Sequence, residues 1–299
     1  MYLITGAAGG TGGVSRQVVE ELRGRGEPVR ALVHHDDERA DSLRELEAEV
    51  MVGDLTEPQD VVDAMAGVDR MFFSMSVSPD YLKATAVVCA AALESGRLEV
   101  LVNMSQMTVS QMTLTSTEES RQHRLHWLAE RVMNWSGLPV VHIRPTVFLD
   151  NPILTRLAVP ALRERNALVL PFASGRTSPI AASDVARVVC AVLLDPADRI
   201  GAVYELTGPT SLDIDGLAAE YARGLHRPIA GADIALHAWV GEVLKPLGLP
   251  PHVEQHLATM ARLHGEGRYD RSTDDVERIT GRQALSVGEY VAANPQLFS

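Results

Sequence analysis

Tyr2-Leu3-Ile4-Thr5-Gly6-Ala7-Ala8-Gly9-Gly10-Thr11-Gly12-Gly13-Val14 decides how the rest of this chain is read. A short apolar strand runs straight into a tight glycine turn, and the turn opens a helix. Val14, Val18, Val19 and Leu22 recur at helical spacing, so that helix has a face to bury. Glycines at 6, 9 and 12 meet three demands at once: a sharp turn, close backbone approach to a pyrophosphate, and close helix–strand packing. The unpaired N–H groups of the first helical turn then point at the phosphates. A glycine cluster alone also describes an ordinary flexible turn. The strand before it and the amphipathic helix after it are the context that marks a dinucleotide cradle.

Working outward, the alternation of strand and helix continues. Residues 28–34 read as a second strand ending at His34 and His35, where an acidic residue would favour NAD and a basic one the 2′-phosphate of NADP. His34-His35-Asp36-Asp37-Glu38-Arg39 is a mixed signal, and two exposed loop histidines without a role are the alternative. Residues 42–50 look helical, and 49–52 form a third strand ending in Gly53-Asp54-Leu55. Asp54 has two readings: an acceptor for the adenine amino group with Leu55 against the ring, or a cap in the loop. After a helix at 59–66, strand 69–74 leads into Met75-Ser76-Val77-Ser78-Pro79, and the small hydroxyl residues at this strand's end would border the ribose and nicotinamide. An alanine-rich helix at 80–95 precedes strand 100–105, which carries Asn103 and Ser105. Residues 106–120 lack a regular period and read as a mobile active-site loop. Arg121 to Ser136 is a helix and 140–143 a sixth strand, followed by Arg144-Pro145. Beyond residue 150 come helices at 153–164 and 183–194 and strands at 168–171 and 203–206. From residue 210 the pattern is mostly helical.

Strands alternating with helices indicate parallel βαβ units, and right-handed crossovers impose a doubly wound sheet. Ligands bind beyond the carboxyl ends of such strands. The loops holding Gly9, His34, Asp54, Ser74 and Ser105 therefore converge on one crevice. The expected fold is α/β: a doubly wound parallel sheet over residues 1–150, with residues 151–299 returning strands to it and forming a smaller, mainly helical substrate region.

A net charge of −12, with Lys83 and Lys245 as the lysines, argues against a phosphate-tracking nucleic-acid surface. No apolar run reaches the length of a membrane span. Met1 runs into a strand with no export signal, and Cys89 and Cys190 sit in apolar helical patterns, so a cytoplasmic address is expected. A small-molecule substrate is the expected partner, and a homodimer is compatible with the sequence. His252 and His256, four apart on a probable helix, have no evident third ligand and read as a surface helix, so no metal site is assigned. The Walker lysine and the Gly-x-Ser-x-Gly elbow are both absent. So is Tyr-x-x-x-Lys: Pro79 precedes Lys83 by four residues and Gly241 precedes Lys245.

The chain resembles the NmrA-like branch of the atypical short-chain dehydrogenase/reductase superfamily. The resemblance rests on the opening motif, Val29-Arg30-Ala31-Leu32-Val33, Gly53-Asp54-Leu55, His126-Trp127-Leu128-Ala129-Glu130, Ser136-Gly137-Leu138-Pro139 and Arg144-Pro145-Thr146-Val147-Phe148, and extends to the tail around Gly281-Arg282 and Phe298. It implies a nucleotide-binding Rossmann domain, with NADP, or NAD, as cofactor. Relatives include NAD(P)H-dependent quinone and triphenylmethane dye reductases. Others act as redox sensors for transcription factors without evident catalysis. The cofactor-binding residues expected are Gly6, Ala8, Gly9, Gly10, Thr11, Gly12, His34, His35, Asp54, Leu55, Ser74, Met75, Ser76, Asn103 and Pro145. With Tyr-x-x-x-Lys missing, His126 is the candidate to orient substrate or supply a proton, and Ser105 the candidate hydrogen-bond donor. The expected function is hydride transfer from NAD(P)H to a small conjugated acceptor; the alternative is a nucleotide-responsive regulatory module.

Overall fold

The computed structural model describes residues 1–9 and 13–298. Gly10, Thr11 and Gly12 of the expected cradle lie outside the described residues. The chain runs β1 (Tyr2–Thr5), α1 (Val14–Gly24), β2 (Val29–Val33), α2 (Glu38–Arg44), β3 (Glu49–Val52), α3 (Pro58–Met65), β4 (Arg70–Phe73), α4 (Tyr81–Ser95), β5 (Val100–Met104), α5 (Arg121–Trp135) and β6 (Val140–Pro145). It continues α6 (Val159–Arg165), β7 (Ala167–Leu170), α7 (Ala182–Leu194), β8 (Val203–Leu206), α8 (Ile214–Leu225), β9 (Ala230–Asp233), α9 (Leu236–Trp239), α10 (Pro251–Gly265), α11 (Asp275–Thr280) and α12 (Val287–Ala293). Seven strands form one sheet in the order β3-β2-β1-β4-β5-β6-β8, and β7 pairs with β9 in a second. Two compact units emerge: residues 1–109, 124–144 and 185–204, and residues 110–123, 145–184 and 205–299. The chain thus crosses between the units several times.

In the first unit β1 to β6 pair in parallel. β1 and β5 are buried along their whole length, as strands covered on both faces must be. Val14, Val18, Val19 and Leu22 are all buried on α1, as their spacing predicts. β1 lies between β2 and β4, so the winding reverses there, and this is where a doubly wound sheet opens its crevice. The Thr5 hydroxyl fixes that junction: it donates to the Ser74 carbonyl at 2.8 Å and accepts from the Ser74 N–H at 2.9 Å. The helix expected at 42–50 instead spans Glu38–Arg44. Asp37 starts it early by accepting from the N–H groups of Arg39 and Ala40, and Glu47, at φ 58°, takes the chain out of helical geometry.

The second unit has its own apolar core, in which Leu154, Leu168, Tyr221, Trp239, Ala261 and Phe298 are buried together. β9 was not legible: Ala-Gly-Ala-Asp carries little strand propensity, and its pairing with β7 alone makes it a strand. Within the mostly helical stretch expected from residue 210, the four-residue α9 passes into a π-helical turn at Val240–Leu244. Much of the stretch read as a mobile loop is tied down from a distant segment. Arg268 Nη2 donates to Glu119 at 2.7 Å, Arg271 to Ser110 at 3.5 Å, and Arg262 to the Glu118 carbonyl. Such long-range anchors leave no local period to read.

His264 is stacked between two aromatic rings, with centroids 4.2 Å from Phe172 and 3.9 Å from Tyr269. Burial pushes its imidazole down to about 4, against an ordinary value of about 6.5. Between those values the unfolded chain takes up a proton that the folded chain refuses. The residue's contribution to stability is therefore complete above about pH 6.5 and is lost as pH falls toward 4. His142 and His256, also pushed down to about 4 by burial, act in the same direction. Urea unfolding across this range should show stability falling with acidification. His264→Phe, which keeps the aromatic stack, should lower the slope by about one proton; an unchanged slope would refute the assignment.

Candidate active site

The described residues expected to bind a nucleotide lie at or just beyond the carboxyl ends of β1 to β6. Gly6 follows β1 with φ +73°, and a Cβ there would lie 2.7 Å from the Ser74 carbonyl oxygen. Only glycine passes this close to the backbone at the end of β4, so Gly6 is what lets the chain turn beside Ser74. Gly9 N–H donates back to the Gly6 carbonyl at 3.0 Å and closes the turn. His34 and His35 follow β2, both exposed, with ring centroids 4.4 Å apart. The basic groups of the next segment are already committed: Arg39 to Asp37 at 2.5 Å, and Arg44 to Asp36 at 2.6 Å and Asp41 at 2.7 Å. Asp54 follows β3, and its Oδ1 accepts from the Thr56 N–H at 2.8 Å, which holds the carboxyl below its usual range. Leu55, Ser74 and Met75 are half-buried and Ser76 is exposed. Pro145 is the last residue of β6.

Polar groups that the sequence left scattered meet between α5 and the ends of β5 and β6. Asn103 faces His142 and Met104 faces Ile143 in the β5–β6 register, so Ser105 comes level with Arg144 one rung later. Residues two apart on a strand share a sheet face, and residues four apart on a helix share a stripe. Two rungs result. In the first, Asn103 Nδ2 donates to His142 Nδ1 at 3.0 Å, and His142 Nε2 meets Asn134 Oδ1 at 3.0 Å. An amide nitrogen can only donate, so the proton of His142 sits on Nε2. In the second, Arg144 grips Glu130 with two bonds, Nε to Oε1 at 2.9 Å and Nη2 to Oε2 at 2.6 Å, and Ser105 Oγ donates to Glu130 Oε1 at 2.5 Å.

Glu130 is fully buried. Burial by itself drives its carboxyl upward, but the Arg144 bonds, nearby positive charge and the Ser105 bond outweigh it and hold the pKa below the ordinary value. The group is an ionised acceptor. This alters one expectation: the Ser105 hydroxyl hydrogen is already given to Glu130, so Ser105 presents acceptor capacity rather than a donor. The Asn103 amide nitrogen is likewise taken by His142, while its Oδ1 is buried with no hydrogen-bond partner among the described residues.

His126 lies one helical step before Glu130 on the same stripe, with its ring 4.4 Å from that of Tyr81. Successive rungs climb toward the strand ends as the helix number falls from 134 to 130, so His126 falls beyond the ladder, on the crevice side. Trp127 carries the Arg131 guanidinium 5.1 Å over its ring. His256 is not a surface residue of α10: its Nδ1 bonds Ser120 Oγ at 2.8 Å and its ring meets His123 edge-on at 4.7 Å. Glu130, Asn134, His142 and Arg144 were missed as a site. The signal was there, in polar residues at alternate positions of otherwise apolar strands.

A family model described as NAD(P)H-binding matches residues 9–196, more than half of the chain. The NAD(P)H azoreductase of Xenophilus azovorans is 26% identical over 292 residues, covering 97% of both chains. An NADPH-dependent quinone oxidoreductase from Escherichia coli, solved with NADPH, aligns with a TM-score of 0.83 at 21% identity, covering 98% of this chain and 99% of its own. NmrA, described as a negative transcriptional regulator and solved with NADP, aligns with a TM-score of 0.80 at 16% identity over 97% of this chain and 94% of its own. At these identities the two structures share the fold with this chain.

The ladder makes a stability prediction. Arg144→Met leaves the Glu130 charge buried with its main partner gone and should cost about 3–5 kcal/mol in urea unfolding. Glu130→Leu combined with Arg144→Met removes both charges together and should recover most of that loss. A single variant as stable as the wild type would mean that the pair is solvated in solution.

Proposed function

The chain belongs to the NAD(P)H-binding family, and on that premise we propose that it is an oxidoreductase that passes a hydride from NAD(P)H to a quinone- or dye-like conjugated acceptor. The observation that carries this reading is the likeness to an NAD(P)H azoreductase along essentially the whole of both chains. The glycine turn that follows β1, closed by the Gly9 N–H on the Gly6 carbonyl, supports it, because a doubly wound sheet takes a pyrophosphate at that place. Gly6, Ala8, Gly9, Gly10, Thr11 and Gly12 would hold the phosphates, and Asp54 and Leu55 the adenine. His34 and His35 would meet the adenosine ribose, and Ser74, Met75, Ser76, Asn103 and Pro145 would border the nicotinamide half.

The reduced nicotinamide, when bound, supplies the hydride. The protein's part is then alignment, because an electron-poor acceptor needs little acid catalysis and its reduced oxygen or nitrogen can take a proton from water. His126 orients the acceptor or hands over that proton, standing where the Tyr-x-x-x-Lys pair is missing. Residues 151–299 contribute the substrate region. No helix among the described residues is long and apolar enough to cross a membrane; we place the protein in the cytoplasm, acting on a small molecule, and a homodimer is compatible with this reading. A regulatory role, for which the fold shared with NmrA is the only support, would differ by the absence of turnover.

Titration with NADPH and NADH should give saturable binding of at least one. Following the reduced-nicotinamide absorbance across a panel of quinones and azo dyes should then show acceptor-dependent oxidation. Tight binding with no oxidation on the panel would move the assignment to the regulatory role, and no binding of either nucleotide would remove both. His126→Ala should lower turnover by more than it weakens nucleotide binding. Equal losses in both would return His126 to a structural role.

A further inference from the structure

The orientation of one hydroxyl says what kind of group it can recognise. Ser105 directly follows β5, and its N–H is spent on the Ile143 carbonyl at 2.8 Å. Its Oγ hydrogen is spent on Glu130 at 2.5 Å. Glu130 cannot return a proton to that bond, because an ionised carboxylate only accepts and Arg144 holds it ionised from the other side. What Oγ has left to offer is its two lone pairs, so toward any further group it can only accept. Ser105 is only 3% exposed, so this acceptor lies in surroundings where hydrogen bonds are strong.

We propose that Glu130 is a positioning residue that fixes Ser105 as a hydrogen-bond acceptor, and that Ser105 so held recognises the carboxamide –NH2 of the nicotinamide. The inference rests on the nucleotide reading above. With the pyrophosphate on the β1 turn at the reversal of strand order, the nicotinamide half falls toward the ends of β4 and β5. Ribose hydroxyls both donate and accept, so they would be satisfied by either orientation of Ser105. The amide nitrogen donates only, and a fixed acceptor is what selects it. Glu130 therefore acts without touching the ligand: it sets which way a neighbouring hydroxyl points.

The test compares binding of NADP⁺ with that of its analogue in which a methyl ketone replaces the carboxamide, so that the –NH2 donor is gone and the carbonyl remains. Affinities come from calorimetry, so no turnover is needed. The wild type should prefer the carboxamide by about tenfold, the worth of one hydrogen bond to a preorganised acceptor. Ser105→Ala should bring the ratio to about one, with affinity for the ketone form unchanged. Glu130→Leu with Arg144→Met frees the hydroxyl to turn and donate, so the ratio should also fall to about one, here because the ketone form binds more tightly. A merely structural role would weaken both forms alike and leave the ratio alone. A wild-type ratio near one, or a ratio untouched by Ser105→Ala, would overturn the proposal while leaving the nucleotide reading intact. A wild type that binds neither form would instead sink the nucleotide reading, and this inference with it.

Discussion

The carboxylate of Glu130 fixes how α5 sits on the ends of β5 and β6. It is fully buried, so it must be paired, and its pairs reach from α5 to the ends of both β5 and β6. Sliding α5 by one turn along the sheet would strand the charge among apolar groups, at a cost larger than that of losing a few packing contacts. A buried ion pair of this kind is weak support for net stability, since an apolar trio of similar volume would do as well. What it fixes is register. The helix sits at one height on two strands, and the strand ends are held at one spacing where the crevice opens.

The first rung repeats the logic with neutral groups. Asn134, four residues after Glu130, meets His142, two residues before Arg144, which meets Asn103, two residues before Ser105. Helix period and strand period thus agree over two steps, and that agreement is why polar residues can sit inside a face that is otherwise Val, Leu and Ile. His142 is kept neutral by burial and carries its proton on Nε2. Position and protonation in the ladder are therefore set together.

This explains what could be read in the sequence and what could not. The glycine turn, the strands and the α1 stripe were legible because each is local: Val14, Val18, Val19 and Leu22 announce a buried face within one helix. The convergence of strand ends was legible too, because it follows from handedness alone. The ladder was not. Its six members come from three elements as alternate residues, and each looks like an isolated polar interruption until the β5–β6 register is known. In the second unit the same limit appears in other forms. β9 owes its existence to β7, the loop before α5 is fixed by arginines some 150 residues later by the intervals between Gln111, Glu119 and Arg268, and α9 gives way to a π-helical turn that no apolar period foretells.

A dinucleotide enzyme without the tyrosine and lysine pair has to obtain reactivity from the acceptor and precision from the protein. Precision at the end of β5 is what the Glu130 arrangement supplies. A serine free to rotate would satisfy donors and acceptors alike and would hold a planar ring in more than one orientation. Tied to an ionised carboxylate, it can satisfy donors alone, so a flipped ring is disfavoured by an unmet bond rather than by a clash. Hydride transfer depends on which face of the ring is offered to the acceptor. A hydroxyl whose polarity is locked by a buried charge is thus a means of choosing that face without any group that takes part in the chemistry.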